Sequence, residues 1–391
     1  TADAAIHLQA LPGEAVPATF TGTADALAWL DTEFPNLSAA AYAAQHAGHT
    51  DIAVDLPLDL GVHLDRRRRF DELISLSTLA RDTARTTGRT KAEAAAWNNL
   101  GAALAGVRRF QEAIEAHTTA RTLYQQTGDR HREANAVNSL GAAFLEARRF
   151  EEAVQAYTTA RTLHQESGDR RREAAAVNSL GAAFAELRRF EEAIEVHTTA
   201  RALFQETGDP HREAMAQNNL GLALAGVRRF EEAVQVHTTA RALFQETGDP
   251  HREAMAQNNL GLALAGVRRF EEAIEVHTTA RTLYREAGDR HGEAMAWNNL
   301  GNALAEVHRF EEAVQAHTTA RTLYREAGDR HGEAMAWANL GTGLHKTGRS
   351  ATAVSALERA ARGLEGAGDT YMLARVRERL AALRQGPGGV G

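Results

Sequence analysis

Phe70, Phe110, Phe150, Phe190, Phe230, Phe270 and Phe310 stand forty residues apart without a slip. Gly61, Gly101, Gly141, Gly181, Gly221, Gly261, Gly301 and Gly341 keep the same step, as do the Gly-Asp pairs beginning at Gly128, Gly168, Gly208, Gly248, Gly288, Gly328 and Gly368. A fixed period of this length overrides the prior that 391 residues make two or three ordinary domains. It describes one small unit, unable to bury its apolar face alone, that must stack on copies of itself.

Each repeat reads as two helices. In "DPHREAMAQNNLGLALAGV", Asp209 is placed as an N-cap and Pro210 at the first helical position. Leu220, Leu224 and Val227 then return at helical spacing. "RRF" makes a tight connection, with Phe230 expected to plug the angle between the helices. "FEEAVQVHTTARALFQETG" forms the second helix, with glutamates in the first turn, where the helix dipole favours them, and Gly248 suited to a left-handed C-terminal cap. Apolar residues make up 43% of the chain, enough for a core, and the abundant alanines and few aromatics favour close helix stacking over a sheet.

Leu100-Gly101 recurs in the first helix of every repeat, with Trp97, Gln217, Trp297 or Trp337 three before the leucine; Ala113 and Ala120 lie seven apart on the second. Together with Leu104 and Phe110, this order of small and large positions resembles the tetratricopeptide repeat in a forty-residue form, over about residues 50–385. The resemblance implies an all-α, right-handed superhelical solenoid of antiparallel helix pairs whose concave face binds protein segments. Two departures stand out: histidine replaces the usual aromatic of the second helix, and Gly-Asp replaces the closing proline.

The expected organisation is a linker at 1–22, a helical N-terminal region with a degenerate first repeat at 23–89, seven repeats at 90–369, a capping helix at 370–385 and a flexible tail at 386–391. Helices broken near Pro35 are expected in the opening region, and Pro57 should kink the next. "ALAWLDTEFPNLSAA" and "LDRRRRFDELI" resemble the junction that leads into C-terminal tetratricopeptide arrays in actinobacterial signal-transducing ATPases of the NB-ARC (STAND) type. The resemblance implies that the chain is the sensor part of a larger regulator. The arginine-for-lysine bias, with only Lys91 and Lys346 as lysines, is that of a high-GC codon background. No G-x-x-x-x-G-K-[ST] loop occurs; Gly343-Leu-His-Lys346-Thr347 has histidine where glycine is needed.

A net charge of −7 offers no overall attraction to nucleic acid or anionic membrane, and the absence of cysteine removes disulfides and thiolate sites. No apolar run approaches a membrane span and no signal peptide opens the chain, so the default location is cytoplasmic. His117, His197, His237, His277 and His317 suggest a metal ladder. Equivalent positions on successive packed helices nevertheless sit about 8–10 Å apart, whereas ligands of one zinc lie ~2 Å from it. With Tyr157 and Leu357 in the same place, these histidines read as packing residues. A second set, His131, His211, His251, His291 and His331, should be exposed. The run Arg66 to Arg69 occupies the turn position "RRF", and no catalytic residue, metal or cofactor is assigned.

The binding assignment falls on the stripe Met215, Asn218, Leu222 and Ala225. Down the array it carries Asn98, Asn138, Asn178, Asn218, Asn258 and Asn298, flanked by Met215, Met255, Met295 and Met335, until Ala338 ends the series. One amide every 8–10 Å meets an extended chain advancing ~3.3 Å per residue about every third residue, offering donor and acceptor together, while methionine supplies an adaptable wall. The competing role for these amides is bonding between neighbouring helices. The stripe's few charges are Glu146, Glu186, Glu306 and Lys346, which argues against a clamp for a terminal carboxylate. The expected partner is a protein or extended peptide, the parent chain's own ATPase portion being one candidate, with no nucleic acid or membrane; the alternative is a self-associating structural scaffold.

Overall fold

The computed structural model describes residues 20–385. Most of the linker expected at 1–22, and all of the tail at 386–391, lie outside the described residues. The described chain is all-α and falls into two compact parts, residues 20–187 and 188–385. The N-terminal part holds α1 (Thr23–His46), α2 (Thr50–Arg66), α3 (Phe70–Thr86), α4 (Thr90–Gly106), α5 (Phe110–Gln126), α6 (Arg130–Glu146), α7 (Phe150–Glu166) and α8 (Arg170–Glu186). The C-terminal part opens with α9 (Phe190–Glu206), α10 (Pro210–Gly226), α11 (Phe230–Glu246), α12 (Pro250–Gly266) and α13 (Phe270–Glu286). It closes with α14 (Arg290–Glu306), α15 (Phe310–Glu326), α16 (Arg330–Lys346), α17 (Ser350–Ala367) and α18 (Thr370–Gln385).

Two kinds of turn repeat, and both follow from the helix ends. Asp209 accepts from the backbone N–H of Arg212 at 3.1 Å and Pro210 takes the first helical position, as the sequence indicates. Gly248 has φ +69°, and the N–H groups of Gly248 and Asp249 return to the carbonyls of Gln245 (3.2 Å) and Phe244 (3.0 Å). That is a Schellman closure, which satisfies two otherwise orphaned carbonyls. The "RRF" turn closes the same way, but with arginine in the left-handed position. Arg228 has φ +64°, and Arg228 and Arg229 donate to Ala225 (3.0 Å) and Leu224 (2.9 Å).

Each helix packs on the next within its part, and the first helices of neighbouring repeats also touch, as α10 on α12 and α12 on α14. The core is therefore shared between repeats. Ala214 of α10, Ala240 and Phe244 of α11, and Ala256 of α12 form one buried cluster; Leu220, Leu224, Ala233 and Ala263 form the next. The phenylalanine that opens each second helix works across this boundary. A Cβ on Gly266 would lie 2.6 Å from the Phe230 ring, so Phe230 seats against the first helix of the following repeat.

The N-terminal region differs from expectation. α1 runs unbroken through Pro35 and α2 through Pro57. In α1 the proline is exposed, while Leu30 and Phe34 before it and Ala41 and Ala44 after it fall on one buried stripe. Packing against Leu60, Leu64, Leu73 and Leu76 holds both halves in line at the cost of one helical hydrogen bond. The Arg66–Arg69 run is absorbed in the α2–α3 turn. Arg67 pairs with Asp31, Arg69 with Glu72 at 2.8 Å, and the Arg69 guanidinium lies 3.9 Å from the Phe34 ring centroid. At the other end α18 buries Leu373 and Val376 against the last helix pair.

Candidate binding trough

The glycine of each Leu-Gly pair faces the histidine of its own hairpin. A Cβ on Gly221 would meet the His237 ring at 2.5 Å, and one on Gly101, Gly261 or Gly301 would meet His117, His277 or His317 at 2.5 to 2.7 Å. Tyr157 sits on Gly141, and Leu357 on Gly341, in the same way. These imidazoles are buried, and burial pushes His117, His197, His237, His277 and His317 down to about 4, so they are neutral near pH 7. They are packing groups, each accommodated by the missing side chain opposite.

Beside this layer stand the asparagines, and at two of them burial corrects the expected binding role. Asn218 and Asn258 are only 1% and 5% exposed. Asn258 Oδ1 accepts from His277 Nδ1 at 3.1 Å and from Asn299 Nδ2 of the next repeat at 3.1 Å. Asn218 and Asn298 accept likewise from Asn259 and Asn339, both at 3.1 Å, and Asn98 faces His117 Nδ1 at 3.0 Å. These amides bond between neighbouring helices, the competing role, and the buried pair cannot meet a ligand. Asn98, Asn138, Asn178 and Asn298 are half-buried; Met215, Met255, Met295 and Met335 are half-buried too, their side chains leaning on the core shared by successive repeats.

Along the C-terminal part the open face lies one residue further round each first helix, whereas Asn98 itself lines an opening in the N-terminal part. In the C-terminal part a trough of about 890 Å³ runs along α12, α14 and α16. Asn299, Asn302, Asn339 and Thr342 line it, with Leu262, 47% exposed, at one side. Arg268, Lys346 and Arg379 bring positive charge against Glu306. Arg379 comes from α18 and donates to Thr342 Oγ1 at 3.1 Å; first-helix spacing alone could not reveal it. In the N-terminal part an opening of about 1130 Å³ is lined by Asp55, Asp59, Lys91, Asn98, Asn99 and Asn135. Burial, and then the neighbouring Asp55 carboxylate, raise the Asp59 pKa. His131, His251, His291 and His331 are exposed and His211 half-buried. Four of these reach the N-cap aspartate of the following repeat, as His211 Nε2 to Asp249 Oδ2 at 3.0 Å.

A family model described as "Tetratricopeptide repeat" matches residues 92–166, 171–246, 212–286, 252–326 and 292–366. The chain belongs to the tetratricopeptide repeat family. No curated protein matches its sequence. Among solved structures it is similar to a signal transduction ATPase with numerous domains (STAND) protein with a tetratricopeptide repeat sensor from Pyrococcus horikoshii, at TM-score 0.66 and 13% identity, over 90% of this chain and 53% of that one. It is similar to the apo form of RapI at TM-score 0.62 and 12% identity, over 85% and 98%. A Rap protein complexed with competence and sporulation factor gives TM-score 0.52 and 13% identity, over 85% and 98%. At these identities the likeness is one of fold. No helix among the described residues is long and apolar enough to cross a membrane.

Proposed function

We propose that the chain is a scaffold that binds a protein or extended peptide, and that it serves as the ligand-sensing part of a larger signalling ATPase. The observation that carries the reading is the C-terminal trough, where the side-chain amides of Asn299, Asn302 and Asn339 stand beside the exposed apolar side chain of Leu262. Amides can follow a peptide backbone whatever its side chains, and an isolated exposed leucine offers an anchor. The likeness to a solved STAND protein with a repeat sensor, and to a Rap protein solved with a bound factor, supports the reading. The seat is placed on Asn299, Asn302 and Asn339; the buried Asn218 and Asn258 are structural.

Selection of displayed random peptides against the protein tests the trough, followed by affinity measurements on the selected sequences. Asn299→Ala with Leu262→Ala should weaken the selected peptides on the order of tenfold or more. Selected peptides that bind the double variant as well as the parent would refute the trough as the seat. Parentage is tested separately by the full reading frame of the gene, which should encode a nucleotide-binding ATPase segment ahead of the repeats.

A further inference from the structure

In a chain of near-copies, a built site should show as a departure from the copy, and one such departure lies in the last hairpin, at residues that do not line the trough. At the positions where α15 carries Thr319, Thr322, Leu323 and Glu326, α17 carries Arg359, Arg362, Gly363 and Gly366. Two threonines have become arginine, and a core leucine and a glutamate have become glycine. The packing changes accordingly. A Cβ on Gly363 would lie 2.7 Å from the Cβ of Ala334, so α17 approaches α16 more closely than a leucine would allow.

The result is a cleft of about 630 Å³ between α16 and α17, lined by Arg330, Arg359 and Arg362, with Glu333 as the carboxylate among them and Trp337 as the floor. In other repeats the corresponding arginine and glutamate pair: Arg130 with Glu133 at 2.9 Å, Arg170 with Glu173 at 2.9 Å, Arg290 with Glu293 at 3.1 Å, each glutamate buried. Here Glu333 is half-buried, and among the described residues none of Arg330, Arg359 and Arg362 is ion-paired. The Arg359 guanidinium lies 4.9 Å from the Trp337 ring centroid and that of Arg321 lies 4.5 Å from it, which fixes their position without neutralising them. A planar guanidinium held against Trp337 and not ion-paired can donate in parallel to two oxygens of a tetrahedral phosphate.

We propose that this cleft binds the phosphate or pyrophosphate group of a small molecule, with Arg359 and Arg362 as the principal donors and Arg330 at the rim. The site is distinct from the peptide trough, and the proposal goes beyond the functional reading above. Glycine at 363 and 366 keeps the entrance free of side chains, and Glu333 limits the charge so that an anion of small size is favoured over diffuse binding to polyanions.

Calorimetric titration of the whole chain with inorganic pyrophosphate tests it, at low and at physiological ionic strength. One pyrophosphate per chain is expected. Arg359→Thr with Arg362→Thr restores the residues of the preceding repeat and should weaken binding by on the order of tenfold or more for each guanidinium lost. Arg108→Ala, an exposed turn arginine elsewhere, should bind like the parent. Arg362→Thr alone, which leaves the Trp337 contacts intact, serves if the double variant folds poorly. No measurable binding, several equivalents per chain, or equal affinity in the Arg362→Thr and parent proteins would overturn the proposal.

Discussion

The neutral histidine ladder predicts an acid transition well above the carboxylate range. His197, His237, His277 and His317 of the C-terminal part each have a pKa of about 4 in the fold against 6.5 when free. The unfolded chain therefore binds more protons between those limits. Stability is complete above pH 6.5 and falls as pH drops toward 4, the sense opposite to that of a histidine held by a carboxylate. At pH 5 an unfolded imidazole is almost fully protonated while the folded one is almost fully neutral, a difference of ~2 kcal/mol per site. Four sites give ~8 kcal/mol, as large as the whole stability of an ordinary domain.

The assay is urea unfolding followed by circular dichroism from about pH 7.5 to 5, with a variant that removes two of the sites. His237→Leu with His317→Leu is the informative choice. Leu357 already fills this position on Gly341, and the Nδ1 atoms of His237 and His317 have no hydrogen-bond partner among the described residues. The double variant should lose ~4 kcal/mol less over the same pH interval. The Arg-paired carboxylates Glu232, Glu272 and Glu312, whose pKa values are held down chiefly by hydrogen bonds from Arg229, Arg269 and Arg309, stay ionised there and do not mask the effect. Equal pH dependence in parent and variant, or resonances assigned to His197, His237, His277 or His317 that titrate near 6.5, would refute the reasoning.

Gly221→Ala should destabilise the C-terminal part by ~1–3 kcal/mol, because the new methyl would lie 2.5 Å from the His237 ring; His237→Ala should relieve most of that penalty, as a double-mutant cycle in urea would show. Gly248→Ala meets no neighbouring atom but sits at φ +69°, so a loss of ~1–2 kcal/mol is expected from backbone conformation alone. Asn258→Ala strips partners from both His277 and Asn299 and should cost ~1–3 kcal/mol by thermal or urea unfolding, whereas Asn299→Ala should cost less and show its main effect on selected peptides.

Period, caps and the packing role of the histidines were legible because each is a local rule repeated seven times, and repetition separates a rule from an accident. The binding stripe was harder to read for a geometric reason. Asn218 and Asn219 are adjacent, about 100° apart on the helix, and both fit a spacing of three and four residues. Which one meets solvent depends on how the second helix of the same hairpin and the first helix of the next repeat pack against them, and no single position in the sequence states that. In the packed array Asn218 is buried and accepts from Asn259 of the next repeat, while the second amide of each pair reaches back to the preceding one. A sequence signal existed: Ser139 and Ser179 replace the second amide while the first is kept from Asn98 to Asn298, as befits a residue whose bonds lie within the packed layer. The first helix shows the limit from the other side. Pro35 breaks a helix only when nothing holds its two halves, and the buried stripe through Leu30, Phe34, Ala41 and Ala44 is a tertiary restraint that no local rule contains. The same logic locates new chemistry in this array. Where every repeat serves as the core of the next, residues that serve packing recur at the fortieth residue, so a residue that departs from the period is a candidate for another role. Arg359, Arg362, Gly363 and Gly366 recur nowhere else at their positions, and stacking on a following repeat does not call for them, which is the ground for placing the proposed phosphate site in the last hairpin.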